Sequence, residues 1–247
     1  MAPIAQKEVF WLSKKADFQG NKAIRGGIPI CWPWFGSLLI NGENIGNHGF
    51  ARQNQWRLEQ LEVNAEGVLI TLLLSGKNVH PYWHYPFQLR QKINFSHYFS
   101  QQLIIGNLSD QTINFTAAFH NYFQVSSPES ITIDNLLNTE FEDKLNSHSY
   151  PKKSAKFIDF SGPVDRIFHC NTSMEIVDKS WQRSIIIDVK NIQQWVLWNP
   201  GKQQAKMMSD IHQYGDQDFI CLEAACTQAQ IISAGAEKTL EQTIRIS

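Results

Sequence analysis

Short apolar or alternating runs, each closed by Gly, Asn, Asp or Pro, succeed one another along most of this chain. "GVLITLLLS" at 67–75, "FQLRQKINF" at 87–95, "QLIIGNL" at 102–108 and "TINFTAAFHNYFQV" at 112–125 open the series. "SITID" at 130–134, "SIIIDV" at 184–189, "QQWVLWN" at 193–199, "DFICLEAAC" at 218–226 and "TLEQTIRI" at 239–246 continue it. Runs of this length and period are strands, and a helical pattern is confined to a turn around 203–211. "LSDQT" and "VKNIQ" each lie between two consecutive runs and are expected to close hairpins. The pattern predicts an all-β protein, an antiparallel β-sandwich of one domain spanning 1–247. Residues 24–55 then form a long irregular connection, and connections of that length in compact domains tend to carry function.

Composition narrows the class of function. Lys and Arg number 22 against 23 Asp and Glu, a net charge of −1. That balance argues against broad electrostatic binding of nucleic acid or of an anionic membrane. The opening "MAPIAQKEVFWLSKK" lacks the continuous apolar core of a signal peptide. The aliphatic run at 68–74 falls far short of the roughly 20 residues a membrane helix needs. Cys31, Cys170, Cys221 and Cys226 form no CxxC pair and are expected to be reduced core thiols of a cytoplasmic protein.

Alternation along "TINFTAAFHNYFQV" sends Phe115, Ala117, Phe119, Phe123 and Val125 to the core, with Asn121 the exception on that face. Thr116, Ala118, His120, Tyr122 and Gln124 face the other way. His120 is therefore a hydrogen-bonded strand histidine or a residue of a ligand groove. In "DFICLEAAC" one face carries Ile220, Leu222, Ala224 and Cys226, the other Phe219, Cys221 and Ala225. Glu223 is the lone charge among them. A carboxylate there must pair with an arginine, accept hydrogen bonds or line a pocket. With a raised pKa it would suit a general base.

Two arginines flank special backbone in the irregular segment. Arg25 opens "RGGIP" and Arg52 closes "NHGFAR". Together they would clamp a phosphate or carboxylate; singly, each could be a surface residue. A glycine near each arginine lets the backbone turn tightly while the side chain points into a cleft. Asp165 in "GPVDRIF" could accept from a hydroxyl or be neutralised by Arg166. Trp32, Trp34, Phe35 and Trp83 could stack on a sugar or anchor the core. His80 and His84 in "HPYWH" have a metal-like spacing, but Pro81 and Pro86 disfavour a helix and no third ligand is near.

The motifs also form an ordered series: Arg-Gly-Gly-Ile-Pro with Trp-Pro-x-Phe-Gly, His-Gly-x-Ala-Arg, Phe-His-x-Tyr-Phe, Val-Asp-Arg, Trp-Asn-Pro-Gly and Phe-x-Cys-x-Glu. This series resembles the D-hexose-6-phosphate mutarotases of the aldose 1-epimerase-like superfamily. The resemblance implies a galactose-mutarotase-like sandwich with no metal and no organic cofactor. It implies His120 as the acid that protonates the ring oxygen and Glu223 as the base at the anomeric hydroxyl. Arg25 and Arg52 match arginines that hold the substrate and its phosphate, the glycine-rich backbone beside Arg25 would let the sugar come close, and Asp165 matches a sugar-contacting aspartate. Asn47 stands where family members often carry glutamine, with a shorter reach. The implied partner is a small sugar phosphate, bound by a monomer.

Overall fold

The structure, a computed structural model, describes residues 7–19, 22–146, 152–153 and 158–247. The chain enters through β1 (Ile30–Cys31) and the hairpin of β2 (Ser37–Ile40) and β3 (Glu43–Asn47). Long strands follow: β4 (Arg57–Asn64), β5 (Gly67–Gly76), β6 (Phe87–Phe95), β7 (Phe99–Asn107) and β8 (Ile113–Phe119). Shorter ones come next: β9 (Tyr122–Gln124), β10 (Ile131–Thr132), β11 (Glu140–Asp143), β12 (Lys152–Lys153), β13 (Val164–Phe168) and β14 (Met174–Asp178). The chain closes with β15 (Arg183–Lys190), β16 (Gln194–Asn199), the helix α1 (Gly201–Met207), β17 (Phe219–Ile232) and β18 (Glu237–Ile246).

Two large sheets result. One has the order β1-β8-β17-β16-β13-β11-β12, with β9 also paired to β17; the other runs β10-β14-β15-β18-β7-β6-β5-β4. All of these pairings are antiparallel. Period-2 alternation places Phe119, Leu197, Leu222 and Ala224 of the first sheet opposite Leu89, Leu103, Ile105, Leu240 and Ile244 of the second in one core. Each Leu, Ile or Phe side chain among them, fully buried, contributes roughly 1.5–3 kcal/mol.

The outer face of the first sheet is covered as well, which is why β17 reads as apolar on both sides. Phe219 and Cys221 pack outward with Trp11, Tyr122, Ala205 and Ile211, while Ala225 packs with Cys31, Ala118, Ile167 and Val196. Trp11 stacks on Tyr122 and lies 4.3 Å from the Phe219 ring, anchoring the N-terminal segment over the sheet. Among the expected core thiols Cys31, Cys221 and Cys226 are buried, Cys170 is half-buried, and all four are free. No helix among the described residues is long and apolar enough to cross a membrane.

Several expectations need correction. Neither "LSDQT" nor "VKNIQ" closes a hairpin: β7 pairs with β6 and β18, whereas β8 pairs with β1 and β17. Likewise β15 pairs with β14 and β18, and β16 with β13 and β17. Both turns are arches from one sheet to the other. A turn signal reports a reversal but not which layer the next strand joins. The first arch is held by the Asn107 amide, which donates to the carbonyls of Gln111, Ile232 and Ser233 at 2.7, 3.1 and 3.0 Å.

The run 112–125 is two strands broken at His120–Asn121, and 130–134 keeps only Ile131–Thr132 as strand between two 3₁₀ turns. The helical turn begins earlier than expected, as Gly201–Met207. Neither Gly26 nor Gly27 lines the cleft described below. At Gly26, with φ of 127°, a Cβ would meet the Trp11 carbonyl oxygen at 2.5 Å. Its bareness lets the N-terminal segment pair with the chain there, through the Leu12–Gly26 bridge.

Candidate active site

On the outer face of the first sheet, three neighbouring strands and the break in a fourth aim side chains into one cleft of about 290 Å³. Asp165 comes from β13, Val196 and Trp198 from β16, Glu223 from β17, and His120 from the break between β8 and β9. Register explains the convergence. Asp165 pairs with Trp198 and Val196 with Glu223, so alternation points them all to one side. The walls come from Arg25, Phe35, Gly36, Lys144 and Met208 in loops, Ser37 and Asn47 of the β2–β3 hairpin, and His48 and Arg52 just after it.

His120, Glu223, Arg25, Arg52, Asn47 and Asp165 all lie on this cleft. His120 and Glu223 are in direct contact, Nε2 to Oε1 at 3.3 Å, with side chains 7% and 2% exposed. Glu223 thus pairs with a histidine rather than an arginine. Burial pushes the Glu223 carboxyl well above its ordinary range, Asp165 adds to the rise, and Arg52 and Lys144 oppose it. Burial also pushes His120 well below its ordinary value, aided by His48, Arg52 and Arg25. The two directions favour a neutral pair holding one proton. His120 Nδ1 and Glu223 Oε2 are buried with no hydrogen-bond partner among the described residues. The imidazole is clamped by stacking on Tyr122, at 4.8 Å and 12°.

The arginines differ. Arg25 donates through Nε to Asp210 at 3.0 Å and through Nη1 to the Tyr122 hydroxyl at 2.9 Å, so its charge is already met. Arg52 donates to the Asn47 carbonyl at 3.2 Å, its Nε has no partner, and no carboxylate pairs with it among the described residues. Gly49 brings this loop in: with φ of 66°, its missing Cβ would fall 1.9 Å from the Trp32 carbonyl oxygen. Phe50 and Ala51 then donate to that same oxygen.

Asn47 keeps its amide group at the exposed rim, its oxygen accepting from the Ser37 hydroxyl at 2.8 Å. Asp165 is not neutralised by Arg166, which turns to the opposite face and meets Asp143 at 3.5 Å. Burial raises the Asp165 carboxyl, with Lys144 opposing. Of the four aromatics, Trp32 and Trp83 are core and Phe35 lines the cleft, while Trp34 packs on Phe50 and His80.

His48, Trp198 and Lys144 are among the cleft residues that escaped the sequence reading of the site. His48 has φ of 63°, and its Nδ1 accepts from the Gly36 N–H at 3.2 Å, so the ring proton of the neutral form is on Nε2. Burial, then Arg52, Lys144 and Arg25, lower its pKa to about 3. The His-Gly-x-Ala-Arg motif was the available signal for it. Trp198 lay in Trp-Asn-Pro-Gly in the same way. Lys144 had no motif; its Nζ lies 5.8 Å from the Phe35 ring centroid, with no carboxylate partner among the described residues.

Comparison with known proteins bears on this site. The family model for aldose 1-epimerase matches residues 2–245. A protein named "Putative glucose-6-phosphate 1-epimerase" from Escherichia coli K12 is 29% identical over 248 residues, covering 99% of this chain and 82% of its relative. One of the same name from Haemophilus influenzae is 33% identical over 224 residues, covering 90% and 74%. A crystal structure described as a "putative mutarotase" from Salmonella typhimurium superposes with a TM-score of 0.89 at 29% identity, covering 99% of this chain and 82% of that one. The chain belongs to the aldose 1-epimerase family.

Proposed function

We propose that this protein interconverts the α and β anomers of a hexose 6-phosphate, with glucose 6-phosphate the foremost candidate. The observation that carries the reading is the buried His120–Glu223 contact at 3.3 Å on the floor of a cationic cleft. The names of the relatives support the same reaction class.

Mutarotation needs one group to take a proton and one to give it. Glu223 takes the proton of the anomeric hydroxyl as the C1–O bond becomes a carbonyl. The bond from C1 to the ring oxygen breaks, and His120 delivers its proton to that oxygen. After rotation about C1–C2 the carbonyl presents its other face, and the same two transfers run backwards. The pair holds one proton throughout: on His120 before opening, on Glu223 after it. A shift along the 3.3 Å contact links these two forms, so the neutral pair that burial favours is also the form that follows ring opening.

The charge of the cleft supports a phosphorylated sugar. Arg25 is engaged by Asp210, so the anion clamp falls to Arg52 and Lys144. A mutarotase for free aldoses would leave both cations without a task. Asp165 and Asn47 face the remaining hydroxyls, with Trp198 and Phe35 as apolar walls.

His120→Asn tests the acid. Polarimetric relaxation from pure α-glucose 6-phosphate should show kcat lowered about 10²–10⁴-fold, with KM within a few-fold. Near-normal turnover would remove His120 as the acid and mean that another group protonates the ring oxygen.

A further inference from the structure

The catalytic pair lies where the β-ladder is interrupted. Phe119 of β8 pairs with Ala224 and Tyr122 of β9 with Cys221, but between them His120 and Asn121 have no Cα partner on β17. The main chain turns away here. The His120 N–H donates to the Pro29 carbonyl at 3.0 Å, and the Asn121 N–H donates back to Phe119 at 2.9 Å. A side chain bridges the gap instead: Asn121 Nδ2 donates to the Leu222 carbonyl at 3.1 Å. Asn121 directly follows His120, and Leu222 directly precedes Glu223.

The orientation of that amide is set from the other sheet. Asn121 and Gln242 of β18 exchange two hydrogen bonds, each 2.9 Å. Gln242 then donates to Gln101 of β7 at 2.9 Å, and Gln101 to Gln91 of β6 at 2.7 Å. Asn121, Gln242, Gln101 and Gln91 are 0, 1, 2 and 7% exposed, so a row of four amides crosses the apolar core. Apolar side chains of similar volume would fill that space without polar groups to satisfy, and an amide left unpaired there costs about 1–3 kcal/mol. This row has one end within a residue of both members of the catalytic pair.

We infer that Asn121 is a positioning residue: its amide, oriented by Gln242, holds the peptide units beside His120 and Glu223 so that the two side chains stay in contact. The inference rests on the proton-transfer roles proposed above. A misplacement of about 1 Å can lower a rate by roughly 10²-fold.

Asn121→Leu, with Asn121→Ala in case the larger side chain prevents folding, should lower kcat about 10²-fold and leave KM within threefold. Gln91→Leu, at the far end of the row, should lower Tm yet keep kcat within twofold. An NMR titration of the His120 ring supplies a readout that needs no turnover. Glu223, His48, Arg52, Arg25 and Tyr122 surround that ring. Loosening the strand break that buries the ring should admit water, relieve the desolvation that lowers His120 and move its titration upward, toward that of an ordinary imidazole, in the Asn121 variants but not in Gln91→Leu. Unchanged kcat and His120 titration in the Asn121 variants, or equal changes in Gln91→Leu, would overturn the inference. A wild-type protein without anomer exchange would instead overturn the proposed function, while the titration would still report on positioning.

Discussion

Glu223→Gln is expected to lower kcat for anomer exchange about 10²–10⁴-fold and also to make the protein more heat-stable at alkaline pH. The two effects share one cause. Burial holds the Glu223 carboxyl well above its ordinary value of 4.5. A group whose folded pKa is raised favours the native state fully below its unfolded value, and that advantage is lost as pH rises through the folded value. Gln carries no ionisation, so the variant escapes the loss. The Tm difference, variant minus wild type, should therefore be smallest below pH 4.5 and should grow as pH rises through the raised Glu223 value. Calorimetry across pH, alongside exchange kinetics, checks both halves. Near-normal turnover would remove Glu223 as the base, and a pH-independent Tm difference would contradict the cost of burying it.

Arg52→Ala should lower kcat/KM for glucose 6-phosphate by about 10²-fold or more while changing that for free glucose only a few-fold. Removing one partner of a buried, hydrogen-bonded charge pair commonly costs about 2–5 kcal/mol. Arg52 has an unpartnered Nε and no carboxylate among the described residues, so a bound phosphate is the charge it lacks. Its tie to the Asn47 carbonyl holds the guanidinium at the cleft rather than consuming its charge. Paired kinetics on the two sugars decide the matter. Equal losses on both would mean that Arg52 supports the loop and does not hold the phosphate.

How much of this was legible depended on the range of the interaction involved. Both faces of β17 could be read from alternation alone, because an isolated carboxylate in an apolar strand has few uses. The destination of each strand was not legible. "LSDQT" and "VKNIQ" carry turn residues, but a hairpin and an arch use similar chemistry and differ only in partners far along the chain. The break at His120–Asn121 was hidden for the same reason. It depends on Pro29, Gly27 and Leu222 drawing hydrogen bonds from 120–122, none of them a neighbour in sequence. Asn121 was visible as an exception on a core face, yet its partner Gln242 lies 121 residues away.

Local composition also misled in one place. "RGGIP" looked like backbone laid bare for a ligand, whereas Gly26 is bare for the Trp11 carbonyl. Arg25 looked equivalent to Arg52, and only the fold brings Asp210 to it. Lys144 follows a strand with no motif around it, so nothing short of the assembled cleft could single it out.

The most direct test of the central claim is anomer exchange measured by NMR, with the protein added to equilibrated glucose 6-phosphate and, in a separate sample, to glucose. Saturation transfer between the α and β anomeric protons reports each turnover without a coupled reaction. Enzyme-dependent exchange of glucose 6-phosphate, at least about tenfold faster than that of glucose, is the predicted result. Equal exchange of both sugars would contradict the phosphate assignment, and binding of the phosphate without exchange would contradict the catalytic role of the His120–Glu223 pair.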